Sequence, residues 1–219
     1  MARVLITREF AEPLASAFRG LGHEVVHVPL VSLSATREPA PEGRPSAVLV
    51  TSQAVARFVP GLADCIGSAP VFAVGKATAE SLRSIGIKPH YVGGTDGVAA
   101  LSVIDGAAKD SVWYVGAAQP SEQLERAMDE AKVSRWSVYR NERPAGYATQ
   151  LRCSRVDAVT FTSASAIRAY VDVLGVPNVA VIALGERTAE AATACGFGDV
   201  RVPPTLGLAG MAHMVDGVG

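Results

Sequence analysis

The chain has 219 residues, of which 49% are hydrophobic and 19% are charged, and its formal net charge is -1. This length permits one large domain or two small ones, and the high apolar content argues against intrinsic disorder. A nearly neutral chain is also unlike a general nucleic-acid-binding protein, which usually carries a basic excess. Any polyanionic ligand must therefore be held by local groups.

Short β-branched runs alternate with alanine-rich helical stretches along the whole chain. This alternation predicts parallel sheets with helices on their faces, and about ten strands fit two sheets of about five better than one sheet. The predicted elements, in chain order, are strand Val4–Thr7, helix Glu12–Leu21, strand Glu24–Val28, strand Ala47–Val50, helix Ser52–Val59, strand Val71–Val74, helix Thr78–Ile85, strand His90–Val92, helix Val98–Ala107, strand Val112–Val115, helix Gln123–Ala131, strand Ser134–Tyr139, strand Val156–Phe161, helix Ala164–Leu174, strand Val179–Ala183, helix Thr188–Cys195, strand Val200–Val202 and a last helix near Leu206–Val215.

An internal repeat divides the chain into two related parts. The segment Thr51–Arg57 (TSQAVAR) matches Thr162–Arg168 (TSASAIR), and Val74–Glu80 (VGKATAE) matches Leu184–Glu190 (LGERTAE). Both matches hold at an offset of about 110 residues, which chance similarity rarely maintains. Each domain is therefore expected to hold one copy of this unit and one further strand–helix–strand unit.

Two domain arrangements satisfy the repeat. Sequential halves would place the domains near residues 1–109 and 110–219, whereas nesting would make residues 34–140 one continuous domain and residues 1–33 plus 141–219 the other. Two strand extensions, Pro29–Ser34 and Ser137–Arg143, favour nesting because they could pair with each other as a two-stranded linker.

Two G-x-x-T turns each follow a strand and open a helix. Gly75 and Gly185 relieve steric strain in the turn, and the hydroxyls of Thr78 and Thr188 are predicted to accept a bond from a free backbone N–H of the helix start. The remaining N–H groups would then form a site for an anion. The alternative is that these turns only cap helices.

Serine hydroxyls lie at two further turns between a strand and a helix. Ser52 and Ser163 follow Thr51 and Thr162 in the two copies of the repeat. In open α/β sheets such turns all lie at the carboxyl edge of the strands, where ligands bind. Four hydroxyl-bearing helix starts, two in each domain, could therefore face one cleft.

Two further side chains are candidates for the site. Tyr139 lies on the proposed linker strand, where it would be either a hydrogen-bond donor or weak acid or a packing residue. Arg8 follows the first strand at the same sheet edge, where it would either bind a carboxylate or remain in solvent.

Several other functions are disfavoured. The chain contains neither G-x-G-x-x-G nor a complete P-loop. The H-E-x-x-H pattern from His23 to His27 lies in a predicted strand, where the two imidazoles would be about 13 Å apart at about 3.3 Å per residue, so a zinc site is not expected. The chain has no apolar run long enough to span a membrane and no signal-peptide pattern. Its three scattered cysteines predict neither disulfides nor structural zinc, and favour the cytoplasm.

Taken together, these segments resemble the uroporphyrinogen-III synthase family over essentially the whole chain. Each motif is weak alone, but their order and spacing are specific. The segments that carry the resemblance are Val4–Arg8, Leu21–Val25, Thr51–Ser52, Val74–Ala79, Val138–Tyr139, Phe161–Ser163 and Ile182–Ala189.

The resemblance implies two nested α/β domains joined by a two-stranded linker. It also implies an enzyme of heme and tetrapyrrole biosynthesis that closes hydroxymethylbilane to uroporphyrinogen III, inverting the last pyrrole ring by way of a spiro intermediate. No metal or organic cofactor, nucleic acid or membrane is expected to take part, and we expect a cytoplasmic monomer. The alternatives are a non-catalytic two-lobed protein that binds a small polyanion and, less favoured, a zinc protease.

The resemblance also suggests roles for individual residues. Tyr139 matches the family's cleft tyrosine, which makes it the catalytic candidate for assisting departure of the hydroxyl. Thr188 matches a threonine of the second G-x-x-T turn that faces the cleft, and Ser52, Ser163 and Thr78 match other turns of the cleft. The residue patterns add Gly75, Gly185 and Arg8 as substrate-binding candidates.

Overall fold

The computed structural model describes residues 1–93, 97–105, 111–205 and 207–215. Strands and helices alternate along the chain, as the sequence predicts. In chain order the elements are β1 (Arg3–Ile6), α1 (Leu14–Gly20), β2 (Glu24–His27), β3 (Ser32–Ala35), β4 (Ala47–Val50), α2 (Ala54–Phe58), α3 (Leu62–Ile66), β5 (Val71–Val74), α4 (Lys76–Ser84), β6 (Tyr91–Gly93), α5 (Gly97–Asp105), β7 (Val112–Ala117), α6 (Glu122–Glu130), β8 (Ser134–Glu142), α7 (Tyr147–Cys153), β9 (Ala158–Phe161), α8 (Ala164–Leu174), β10 (Ala180–Ala183), α9 (Glu186–Ala194), β11 (Val200–Arg201), α10 (Leu208–Ala212) and a 3-10 turn (His213–Val215).

Two short helices, α3 and α7, were not predicted from the sequence, because they are too short for a 3.6-residue period to be recognised. The linker strand predicted at Pro29–Ser34 lies further along the chain, as β3, which begins at Ser32 and ends at Ala35. The helix predicted from Ser52 begins instead at Ala54. The ends of two predicted helices, at Ala107 and Leu206, lie outside the described residues.

In the strand pairing, segments from the two ends of the chain share one sheet, as they would in a nested arrangement. One sheet has the order β11-β10-β9-β1-β2, so β1 from the start of the chain lies beside β9, with Val4 opposite Ala158 in parallel register. The other sheet has the order β3-β8-β7-β4-β5-β6. The pairs among β4 to β8 in this sheet are all parallel.

The chain divides into two compact units that follow these sheets. Unit 1 is Met1–Ser32 with Glu142–Gly219, and unit 2 is Leu33–Asn141. The chain passes between the units within β3 and within β8, which are neighbours in the sheet. The backbone N–H of Thr36 donates to the carbonyl of Val138 at 3.3 Å, which extends the pairing of β3 with β8 by one residue.

Helices cover both faces of the sheet in unit 1. Leu5 and Val159 belong to a buried cluster with residues of α7, α8 and α9. Val4 and Ile6, whose side chains alternate with Leu5 along the strand, pack with α1 and α10 instead. Burial on both faces explains why these strands read as continuous apolar runs.

Unit 2 has the same layered construction. Val48 and Val50 pack with α2, α3 and α4, whereas Ala47 and Leu49 pack with α5 and α6 on the other face. No helix in the described part of the chain combines the length and apolar character that a bilayer span requires.

The strand order locates the region of each sheet where a ligand is expected. From β7 the chain proceeds to β8 on one side, and from β4 to β5 and β6 on the other, so the direction reverses between β7 and β4. The corresponding reversal in unit 1 lies between β1 and β9. In open α/β sheets, ligands bind outside the carboxyl ends of the strands at such a switch point.

Candidate active site

The Thr51–Ser52 turn lies at the switch point of unit 2, directly after β4. The Ser52 hydroxyl accepts a hydrogen bond from the backbone N–H of Ala54 at 3.2 Å, which fixes the turn into α2. This helix has only five residues, so it presents little dipole to an anion. We therefore expect Ser52 to contribute through its hydroxyl rather than through the N–H groups of this short helix.

Tyr139 lies close to this turn, on β8. Its side chain is 7% exposed and stacks on Phe58, with ring centroids 5.5 Å apart. The hydroxyl forms a hydrogen bond with Ser52. Burial raises the pKa of Tyr139 above the ordinary 10.0, and the Ser52 bond partly opposes that rise. The phenol is therefore neutral at physiological pH and is a hydrogen-bond donor rather than a base.

A second buried tyrosine meets the same turn and was missed in the sequence. Tyr114 on β7 is 1% exposed, and its hydroxyl accepts a bond from the backbone N–H of Ala117 at 3.1 Å. It also forms a hydrogen bond with Thr51, and burial raises its pKa. The one sequence signal was the glycine at position 116, because a Cβ there would overlap the Tyr114 hydroxyl.

The G-x-x-T turn of unit 2 does not use its threonine as a cap. The N-cap residue of α4 is Gly75, with φ 84° and ψ 152°, and no side chain accepts a bond from this helix start. Thr78 lies within the first turn and is 5% exposed. The expected capping role of Thr78 is therefore wrong, because the helix begins at Lys76, two residues earlier than predicted.

The corresponding turn of unit 1 corrects the second capping prediction in the same way. Gly185 is the N-cap of α9, which also has no side-chain cap. The N–H of Thr188 donates to the Gly185 carbonyl at 3.0 Å. The half-buried Thr188 hydroxyl is therefore not a helix cap.

Ser163 does cap its helix. It is the N-cap of α8, and its hydroxyl accepts from the N–H of Ala166 at 3.3 Å. The hydroxyl of Ser165 lies 3.0 Å from it. This helix has eleven residues, so its start is a favourable environment for an anion.

Arg8 follows β1 on the other side of the unit 1 switch point. The side chain is half-buried, and its buried Nη1 atom has no hydrogen-bond partner. Burial lowers the pKa of Arg8, but a guanidinium remains charged at any physiological pH. A buried cationic donor without a partner is suited to receive a carboxylate oxygen.

Of the H-E-x-x-H pattern, Glu24 to His27 form β2, and His23 directly precedes the strand. The Nε2 atom of His27 is 3.0 Å from the carbonyl oxygen of Arg8, and Nδ1 of His23 accepts from the N–H of Ala2 at 3.3 Å. The two imidazoles thus serve opposite ends of the strand. Among the described residues, no group of three or more His, Cys, Asp or Glu side chains could hold a metal ion.

The structure thus groups the predicted residues by unit. In unit 2, Tyr139 and Ser52 are in direct contact, while Gly75 and Thr78 follow the next strand, β5. In unit 1, a set of four residues follows three adjacent strands at the carboxyl edge. These are Arg8, Ser163, Gly185 and Thr188.

Comparison with known proteins agrees with this construction. Residues 12–213 match the family model described as "Uroporphyrinogen-III synthase HemD". The chain belongs to the uroporphyrinogen-III synthase family. As a uroporphyrinogen-III synthase, it is an enzyme of the heme and tetrapyrrole pathway that cyclises hydroxymethylbilane. The alternatives of a non-catalytic binding protein and a zinc protease are not supported.

Solved structures of other uroporphyrinogen-III synthases share the fold. A mutant of the enzyme from the extremely thermophilic bacterium Thermus thermophilus is 20% identical, with 97% of this chain and 96% of that chain covered and a TM-score of 0.69. The Helicobacter pylori enzyme is 14% identical, with 98% of each chain covered and a TM-score of 0.72. Comparison with curated protein sequences finds no match. At these identities the solved structures establish the fold alone.

Proposed function

We propose that the uroporphyrinogen-III synthase reaction of this chain depends on Tyr139. The observation that carries the proposal is the buried phenol held by Ser52 at the switch point of unit 2. In this mechanism the phenol donates a hydrogen bond, and then its proton, to the terminal hydroxyl of hydroxymethylbilane. The C–O bond breaks with its electron pair on oxygen, and water leaves.

The later steps return the proton. The methylene cation is attacked by a pyrrole carbon, the last ring is inverted through a spiro intermediate, and the ring carbon that finally forms the macrocycle loses its proton. That proton restores the Tyr139 phenol, so the overall change is loss of one water. Burial supports this role because it excludes competing water and strengthens the hydrogen bond.

We further propose that the remaining candidates hold the carboxylates of the substrate. The free N–H groups at the starts of α4 and α9 follow Gly75 and Gly185, and those of α8 follow Ser163. Arg8 supplies a cation. The hydroxyls of Ser52, Thr78 and Thr188 provide further hydrogen bonds. This arrangement needs no basic excess, in keeping with the net charge of -1.

We further infer that the protein is a monomer and that it is located in the cytoplasm. Cys65, Cys153 and Cys195 are all free and Cys153 is exposed, which suits a reducing compartment. In both units the sheet faces in the described ranges are covered by the chain's own helices. Sedimentation of the purified protein should give the mass of one chain, and a dimer would contradict this inference.

The decisive experiment supplies hydroxymethylbilane to the purified enzyme without added metal. The uncatalysed closure gives isomer I, so the expected result is a shift of the product to isomer III, measured by chromatography after oxidation to the porphyrins. Heat-denatured enzyme is the control. An unchanged isomer ratio at high concentrations of folded enzyme would refute the proposal.

A further inference from the structure

Two phenols from neighbouring strands meet consecutive residues of one turn. Tyr114 on β7 forms a hydrogen bond with Thr51, and Tyr139 on β8 forms one with Ser52. The two tyrosines meet at the end of β7, because Ala117, whose N–H donates to the Tyr114 hydroxyl at 3.1 Å, pairs with Tyr139 in the sheet. The proposed function uses only Tyr139, which leaves Tyr114 without an assigned role.

The strand around Tyr114 accommodates the hydroxyl and not only the ring. The phenol extends along its own strand, and the N–H of Ala117 donates to it at 3.1 Å. A Cβ at residue 116 would overlap both the hydroxyl and the ring, so a glycine is needed there. A phenylalanine at position 114 could fill the same apolar space among Leu49 and Leu124. The hydroxyl therefore adds one specific feature, which is a connection between the end of β7 and the turn after β4.

The turn itself has little freedom to absorb a shift. Ser52 is held through its bond with the N–H of Ala54. On the other side, a Cβ built on Gly97 would lie 3.2 Å from the Thr51 methyl group, so α5 begins in close contact with the turn. A displacement of Thr51 would therefore be passed along the backbone to Ser52, because interiors packed to this density transmit strain.

We propose that Tyr114 is a positioning residue for the cyclisation: through Thr51 it fixes the turn whose next residue, Ser52, holds the hydroxyl of Tyr139. This inference rests on the proposed role of Tyr139. It predicts that the catalytic effect of Tyr114 is exerted only through Tyr139.

The test is a double-mutant cycle on the single-turnover rate. Tyr139→Phe should lower the rate by about 10²-fold or more, as expected for lost general-acid assistance. Tyr114→Phe should lower it by about 3- to 10-fold, the equivalent of one hydrogen bond, with KM unchanged. The double variant should be no slower than Tyr139→Phe alone, because residues that act as one unit are not additive.

A second pair of variants separates positioning from loss of stability. Thr51→Ser keeps the hydroxyl and should retain nearly the wild-type rate. Thr51→Val is isosteric but removes the hydroxyl, and it should match the loss in Tyr114→Phe with no further loss when the two are combined. Tyr170→Phe is the matched control, because Tyr170 is also a 1% exposed core tyrosine but lies in unit 1. It should keep the full rate.

The outcomes are distinguishable from failure of the proposed function. If wild-type enzyme makes no isomer III, the proposed function fails. If Tyr139→Phe is impaired but Tyr114→Phe is fully active, or if their effects multiply, the role of Tyr139 survives and the positioning role of Tyr114 is refuted. A Tyr114→Phe enzyme whose loss persists undiminished in the Tyr139→Phe background would likewise refute it, whatever its melting temperature.

Discussion

The two units carry the same turn after equivalent strands, yet they use it differently. In unit 1 the Ser163 hydroxyl caps an eleven-residue helix. In unit 2 the Ser52 hydroxyl supports a helix of only five residues and also bonds to Tyr139. The duplicated backbone is thus retained, while the hydroxyl has a helix-capping role in one copy and a side-chain contact in the other.

The strand register also identifies equivalent residues on β7 of unit 2 and β1 of unit 1, which the sequence repeat does not align. Tyr114 pairs with Leu49, two residues before Thr51. In unit 1, Ile6 pairs with Thr160, two residues before Thr162. Ile6 therefore occupies the place of Tyr114.

Two residues further along each strand, the same register places Arg8 where unit 2 has Gly116. A glycine at that point leaves room for a phenol, whereas an arginine supplies a buried donor without a partner. Equivalent regions of the two sheets therefore hold a neutral hydrogen-bond donor in unit 2 and a cation in unit 1. We accordingly expect proton chemistry to depend on unit 2 and carboxylate binding on unit 1.

The largest expected effect tests the phenol side of this comparison. Tyr139→Phe should reduce kcat by about 10²-fold or more, because it removes the donor to the leaving hydroxyl. Tyr170→Phe, in unit 1, should leave kcat unchanged even though burial raises the pKa of Tyr170 to about 12. Both rates are measured in single turnover after circular dichroism has established folding. Wild-type kcat in Tyr139→Phe would mean that substrate conformation alone drives the reaction.

The same variant has a pH signature. The raised pKa of Tyr139 keeps the phenol protonated through neutral pH, and the proton is lost only as pH rises through a value above the ordinary 10.0. Wild-type kcat should therefore fall on the alkaline side as Tyr139 ionises. Tyr139→Phe should lack that alkaline decline within the pH range where both proteins stay folded. An identical decline in both proteins would assign it to another group.

The next effect tests whether the two G-x-x-T turns are interchangeable. Gly75 has φ 84° and ψ 152°, a region that is essentially restricted to glycine, whereas Gly185 has the extended values -172° and 174° that any residue adopts. Gly75→Ala should lower the free energy of unfolding by about 1–3 kcal/mol through backbone strain. Gly185→Ala should lower the free energy of unfolding much less. Urea denaturation with matched m-values measures both, and equal losses would contradict this difference.

The comparison also shows what the sequence could and could not predict. Two-sided burial gives β4 and β5 continuous apolar runs, so their ends were predicted to the residue. Both T-S turns were found because their local chemistry repeats. Tyr114 was missed because its role depends on partners from other strands, which a linear pattern does not contain. The prediction that Thr78 and Thr188 cap their helices was wrong because each helix begins directly after its glycine, earlier than the apolar period indicates.

A smaller effect tests the cation of unit 1. Arg8→Ala should raise KM by about 10-fold, the value of a charge-assisted hydrogen bond, with kcat nearly unchanged. The increase should be larger at low salt, because screening weakens the contact in wild type. Arg3→Ala is the matched control, since it removes the same charge from the other end of β1, where Arg3 pairs with Glu24 at 2.8 Å. Equal KM values for the two variants would remove Arg8 from the binding site.

The smallest effect concerns the threonine of the second G-x-x-T turn. Because Thr188 does not cap α9, Thr188→Val should leave the melting temperature nearly unchanged. If the hydroxyl bonds to substrate, its loss should lower kcat/KM by an amount equivalent to about 0.5–1.5 kcal/mol, the usual contribution of one hydrogen bond. Thr193→Val, at the exposed far end of the same helix, controls for general effects of valine on α9. A lowered melting temperature with intact kcat/KM would reverse the assignment, since the hydroxyl would then stabilise the helix and play no part in binding.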